Sequence, residues 1–171
     1  QRAKALFPVD SSERMNWDYR PHERTGLSLK ETDSSQQKLA YALLASGLSY
    51  YGHIKALQIM SLEKILRELE GPSSRFVRDP DLYYVTIFGT PSNELPWAWR
   101  IEGHHLSINF LIVHGKEIAV TPNFFGANPA RVPHGPLSDL RILAMEEELA
   151  RHLLLSLDGT QRAQAIIKAE A

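Results

Sequence analysis

The stretch Trp97–Val120, WAWRIEGHHLSINFLIVHGKEIAV, decides the fold of this chain. Side chains of a β-strand alternate between two faces. A single long strand over 98–113 therefore places Arg100, Glu102, His104 and Leu106 on one face, and Ile101, Gly103, His105, Ser107 and Asn109 on the other. The strand is polar at its start and apolar toward its end, which predicts that the polar end opens onto a cleft. His114-Gly115-Lys116-Glu117 reads as a tight hairpin, with Gly115 taking the positive φ of a two-residue turn. That register sets Val113 against Ile118 and Ile112 against Ala119, with a return strand over 117–121. Both faces are apolar near the turn, so the hairpin is expected to be covered on both sides.

Upstream, Leu82–Phe88 (LYYVTIF) is aromatic and β-branched and reads as another strand. Before it, Ile54, Leu57, Ser61, Leu62, Ile65 and Leu69 recur at helical spacing and predict a helix over 49–70. Ser49 caps it, Gly71-Pro72 stops it, and Glu63–Arg67 and Lys64–Glu68 form i,i+4 pairs on its wet face. A helix over 36–46 is capped by Ser34 or Ser35. Residues 1–33 read as an irregular arm, docked on the body through Trp17 and Tyr19. Downstream, 123–136 is a loop by its glycines and prolines. Helices follow over 139–157, capped by Ser138 or Asp139, and over 160–169, capped by Asp158. The expected fold class is α+β: one domain with an antiparallel sheet of about three strands packed with four or more α-helices.

The 171 residues are 43% hydrophobic, enough for a core. Nineteen Lys and Arg balance 20 Asp and Glu, so charge gives no reason to expect nucleic acid or an anionic membrane as partner. The absence of cysteine excludes disulfides, thiolate ligands and a cysteine nucleophile. The apolar runs are too short for a transmembrane helix. The opening Gln1-Arg2-Ala3-Lys4 lacks the apolar core of a signal peptide, and composition leaves the compartment open.

Four strings carry a family likeness: WDYRP (17–21) with RTGL (24–27), IFG (87–89), PWAWRIEGHHLSINF (96–110) and TPNFFGANPA (121–130). Together they resemble the family of proteins of unknown function DUF3500, over almost the whole chain and in the same order. The resemblance implies no activity. It does imply a longer protein, of which this chain would be the amino-terminal portion. A missing carboxy-terminal segment or a partner chain would then cover an apolar surface near the Trp97–His105 strand or the last helix.

The polar start of the long strand carries the candidate chemistry. Glu102 and His104, two residues apart on one face, suit metal ligation or acid–base work. A bulge at Gly103 would bring His105 to the same side. His104, His105 and Glu102 are thus the candidate metal ligands, for zinc or iron, and Glu102 and His105 the candidate catalytic pair. Arg100, Asn109, Asn123, Asn128 and Trp97 are candidates for contacting a small-molecule ligand, the two loop asparagines as one wall of the cleft. The competing reading makes Arg100–Glu102 an ion pair and the whole cluster a buried polar network. The corresponding functions are a metal-dependent enzyme, such as a hydrolase, or a non-enzymatic ligand-binding or assembly domain. His22, His53, His114 and His152 read as surface groups, and His134 as a residue within reach of the cleft.

Overall fold

The computed structural model describes residues 1–168. Among them the fold is α+β, with five α-helices and one mixed, mostly antiparallel sheet of seven strands rather than about three. The helices are α1 (Arg2–Ala5), α2 (Ser34–Gly47), α3 (Tyr50–Glu70), α4 (Ala144–Ser156) and α5 (Gly159–Ala165). The strands are β1 (Leu6–Phe7), β2 (Leu27–Ser28), β3 (Tyr84–Phe88), β4 (Trp97–Gly103), β5 (Leu106–Val113), β6 (Glu117–Ala119) and β7 (Asn123–Phe125). The main path runs β1-β3-β4-β5-β6; β2 also pairs with β3, and β7 with β5. Only β1 and β3 run parallel.

The largest correction lies in the deciding stretch. The expected strand over 98–113 is two strands, folded back at His104-His105 so that Gly103 pairs with Leu106 and Trp99 with Phe110. No bulge forms at Gly103. His105 takes φ +58, a left-handed conformation uncommon outside glycine but open to histidine. The reversal also resolves the apparent polarity gradient. Trp99 and Ile101 now share a face with Leu106, Ile108 and Phe110, and all five are buried. Arg100 and Glu102 share the opposite face with Ser107 and Asn109, also buried.

The apolar face receives α2 and α3. Leu44, Ala56, Ile59 and Met60 close the core over Trp99, Ile101, Ile108 and Phe110. Trp99 stacks on Phe110 at 4.4 Å and 10°, a cross-strand aromatic pair. Gly47 is required at the end of α2, because a Cβ there would lie 2.6 Å from the Phe110 ring. Asp33, rather than Ser34 or Ser35, caps α2 through a capping box with Gln36. Ser49 caps α3 and Gly71 ends it at φ +68, as the sequence predicts.

The buried stripe of α3 is rotated from the expected one. It comprises Ala56, Ile59, Met60, Leu62, Glu63 and Leu66, so Glu63 belongs to the buried face and not to the wet one. The arm is not wholly irregular: β1 and β2 both pair with β3. It is docked as expected, with Trp17 and Tyr19 packed on Phe124.

Other differences are local. The His114 turn is a three-residue loop with positive φ at both His114 and Gly115, so Ile112 pairs with Ile118 and Val113 with Glu117. All of β6 is exposed, so the hairpin is not covered on both sides. Strand β7 lies where a loop is expected. Helix α4 begins at Ala144 without a side-chain cap, because Asp139 takes φ +71 and pairs with Arg131 instead. Asp158 caps α5 as expected, but that helix ends at Ala165; position 169 of the expected span lies outside the described residues. An apolar surface near the last helices is present: Met145, Leu149 and Leu153 on α4 are each more than 60% exposed. Among the described residues no helix is long and apolar enough to cross a membrane.

Candidate functional site

The His104-His105 turn is fixed from three sides. The Tyr83 hydroxyl donates to the His104 carbonyl (2.7 Å), His105 N–H to the Tyr19 carbonyl (2.8 Å), and Gly126 N–H to the His105 carbonyl (2.7 Å). Gly103 lets the Tyr83 ring approach, since a Cβ there would meet it at 2.4 Å. The two imidazoles lie side by side, ring centroids 4.2 Å apart and tilted by 42°, but meet different partners.

His104 turns toward α3. Its Nδ1 lies 2.5 Å from Glu63 Oε1, and both side chains are buried. Arg78 Nη1 also approaches Nδ1, at 3.3 Å. A nitrogen cannot donate to a carboxylate and accept from a guanidinium with the same position, and the shorter contact decides. Nδ1 carries a proton and donates it to Glu63, which leaves Nε2 as the ring nitrogen outside that bond. Arg78 is held behind the dyad by a two-pronged pair with Glu70, at 2.7 and 2.8 Å. These bonds, with one from Ser74, lower the Glu70 carboxyl to about 2. Nε2 of His104 makes no hydrogen bond among the described residues, yet it is not a sealed orphan atom. The His104 side chain lines a cavity of about 570 Å³ whose polar lining also includes Asp18, Arg20, His22, Arg78 and Asn128.

His105 packs against Tyr19, with ring centroids 6.1 Å apart, and Gly126 lies against its ring. Its Nδ1 is buried without a partner. Burial, with His104 and Arg78 nearby, lowers its pKa to about 4, so it is neutral at neutral pH.

Glu102 points to the other face of the sheet, under the arm. It accepts from Asp18 N–H (3.2 Å) and the Ser107 hydroxyl (3.1 Å), and lies 3.1 Å from Arg100 Nε and 3.9 Å from Arg24 Nε. Burial raises its carboxyl above the ordinary range despite these arginines. Arg100, with no exposed surface, also binds Glu13 of the arm at 2.6 Å. Arg24 ties the 18–24 segment together by donating to the carbonyls of Asp18, Arg20, His22 and Gly103. The expected Arg100–Glu102 ion pair is therefore present, within a buried network that seats the arm.

Of the expected trio, His104 and His105 are brought together, with ring centroids 4.2 Å apart, whereas Glu102 lies on the other face of the sheet. Among the described residues no three His, Asp or Glu side chains converge as metal ligands would. Asn109 lies in the arm-side network, donating to Ser107 and to the Pro122 carbonyl. Trp97 packs against the core, and Asn123 is exposed on β7. Asn128 does line the His104 cavity. So does His22, which is exposed as expected of a surface group. Sequence reasoning missed Glu63, Glu70 and Arg78. The available signal was spacing: Glu63 and Glu70 continue the 56, 59, 63, 66, 70 seam of α3, where a carboxylate needs a buried partner.

Fold and site together define an α+β protein whose sheet carries a carboxylate-backed histidine at a cleft on one side and a charged arm on the other. A family model described as "Protein of unknown function (DUF3500)" matches residues 1–171, and the chain belongs to that family. No curated protein and no solved structure matches it.

Proposed function

We propose that this protein is an acid–base enzyme acting on a small polar molecule, with His104 as the group that takes the proton. The observation that supports this reading is the buried Glu63–His104 pair, with Nδ1 bonded to the carboxylate and the His104 side chain lining the cavity. A carboxylate behind an imidazole fixes its tautomer and steadies the cation formed when the ring accepts a proton. Hydrolysis asks least of such a site, since a water on Nε2 is the nucleophile's source. The same backing orients histidine metal ligands. In a zinc- or iron-dependent form of this reading Nε2 of His104 would hold the metal. Glu102 would seat the arm in either form, and neutral His105 would shape the wall beside His104.

The alternative, a non-enzymatic binding or assembly domain, is supported by the number of partners around Glu102. The test is turnover of a panel of esters, phosphomonoesters and amides by the parent and by His104→Gln, with metal content of both measured by mass spectrometry. Acid–base catalysis contributes roughly a hundredfold or more, so the variant should lose at least that. Turnover equal in parent and variant, or none on any member of the panel, would leave the assembly reading in place.

A further inference from the structure

The His104 cavity does not end at His104. A second cavity of about 480 Å³ shares Pro21, His22 and Phe76 with it, so the two form one groove between the arm and the 75–78 segment. The second cavity adds Arg24, Lys30 and Arg75, with Glu23 as its one carboxylate. Nitrogen-bearing donors therefore far outnumber acids along the lining, in a chain whose net charge is −1.

The acids that balance these cations stand mostly behind them. Arg78 is paired with Glu70, Lys30 with Asp79, and Arg24 faces Glu102. None of those three carboxylates lines the groove. Asp18 does line it, but its oxygens are occupied by Arg20, which holds its carboxyl well below the usual range, and lie 3.4 Å from His22 Nε2, while His22 Nδ1 is 2.6 Å from the Glu23 carbonyl. Arg75 differs from the rest. It lies over the Phe76 ring at 4.6 Å and pairs with no acid among the described residues. Phe76 lines both cavities, and this free guanidinium lines the second of them beside it.

A groove lined by fixed donors fits an acceptor-rich ligand. We infer that the substrate of the His104 site carries an oxyanion, a carboxylate or a phosphate, held near Arg75 and His22 while its reacting group or a water meets Nε2 of His104. The reacting end rests on the acid–base reading above; the anion site does not.

Titration of the full chain with inorganic phosphate and, separately, succinate, followed by histidine Cε1–H NMR signals, tests it. Saturable shifts of His22 are expected with at least one anion, and the stronger of the two identifies phosphate or carboxylate as the class. Arg75→Glu removes the free cation and reverses its charge without touching the core, and should weaken binding about tenfold or more. His104→Gln should change the affinity less than about twofold, even where it abolishes turnover. Anion binding retained in an inactive parent would thus count against the catalytic reading alone. No saturable shift, or equal affinity in parent and Arg75→Glu, overturns the anion site.

Discussion

Nδ1 of His104 and Oε1 of Glu63 stand 2.5 Å apart, joining a hairpin turn to the middle of a helix 41 residues earlier in the chain. The contact is buried, and Arg78 sits 3.9 Å from the other Glu63 oxygen. Removing the carboxylate leaves a guanidinium and an imidazole proton short of an acceptor. Glu63→Ala should therefore cost about 3 kcal/mol, read from urea unfolding. The downfield Nδ1 proton signal of His104 should vanish with it. A loss below about 1 kcal/mol, with that signal retained, would mean that the pair does not hold the turn.

The arm-side network predicts a different phenotype. Glu102→Gln keeps the shape but leaves Arg100 and Arg24 facing each other without the charge between them. Loss of one buried partner costs about 3–5 kcal/mol, and here the arm bears it. Limited proteolysis should cut the variant within residues 8–24 faster than the parent. Equal cleavage rates would remove Glu102 from its seating role.

Tyr83 and Gly103 give a steric test. A Cβ at Gly103 would have to displace a ring whose own pKa burial drives well upward and whose hydroxyl holds the His104 carbonyl. Gly103→Ala should cost about 1–3 kcal/mol by overpacking. Tyr83→Phe, which removes only the hydroxyl, should cost about 1 kcal/mol. If calorimetry finds Gly103→Ala as stable as the parent, the close approach is wrong.

His105 sets a pH dependence. Its pKa falls from 6.5 to about 4 on folding, chiefly through burial. Between those values the unfolded chain binds the extra proton, so stability falls as pH drops from 6.5 toward 4 and is full above 6.5. Asparagine tolerates the positive φ of this position. His105→Asn should lose less stability than the parent between neutral pH and mild acid, by urea midpoints at each pH. Parallel losses in both proteins would dissociate His105 from the effect.

Much of the scaffold was legible because local chemistry specified it. Ser49, Gly71 and Asp158 mark helix ends by capping and left-handed geometry, and residues 84–88 could hardly be other than a strand. The turn at His104-His105 was not read, since two histidines carry no turn signature and the apolar run beyond them invites a continuous strand. Its trace was there: apolar positions are odd at Trp99 and Ile101 and even at Leu106, Ile108 and Phe110, the change of phase that a two-residue reversal produces. Within the site, His104 and Asn128 were singled out and share a cavity, whereas Glu102 was assigned to the wrong side of the sheet by the same error. Glu63 and Arg78 are contributed by distant segments, and Glu63 passed as half of an ordinary i,i+4 pair with Arg67.

The arm's anchorage has a consequence for how the chain is made. Asp18 reaches Glu102 across 84 positions, and Glu13 reaches Arg100 across 87. A ribosome releases the arm before β4 and β5, and its seat comes into being only once those strands have emerged and folded back on each other. The arm is thus made before the strands that seat it and finds its place after them. Until then the arm's charges remain in water while the apolar face of the sheet closes against α2 and α3.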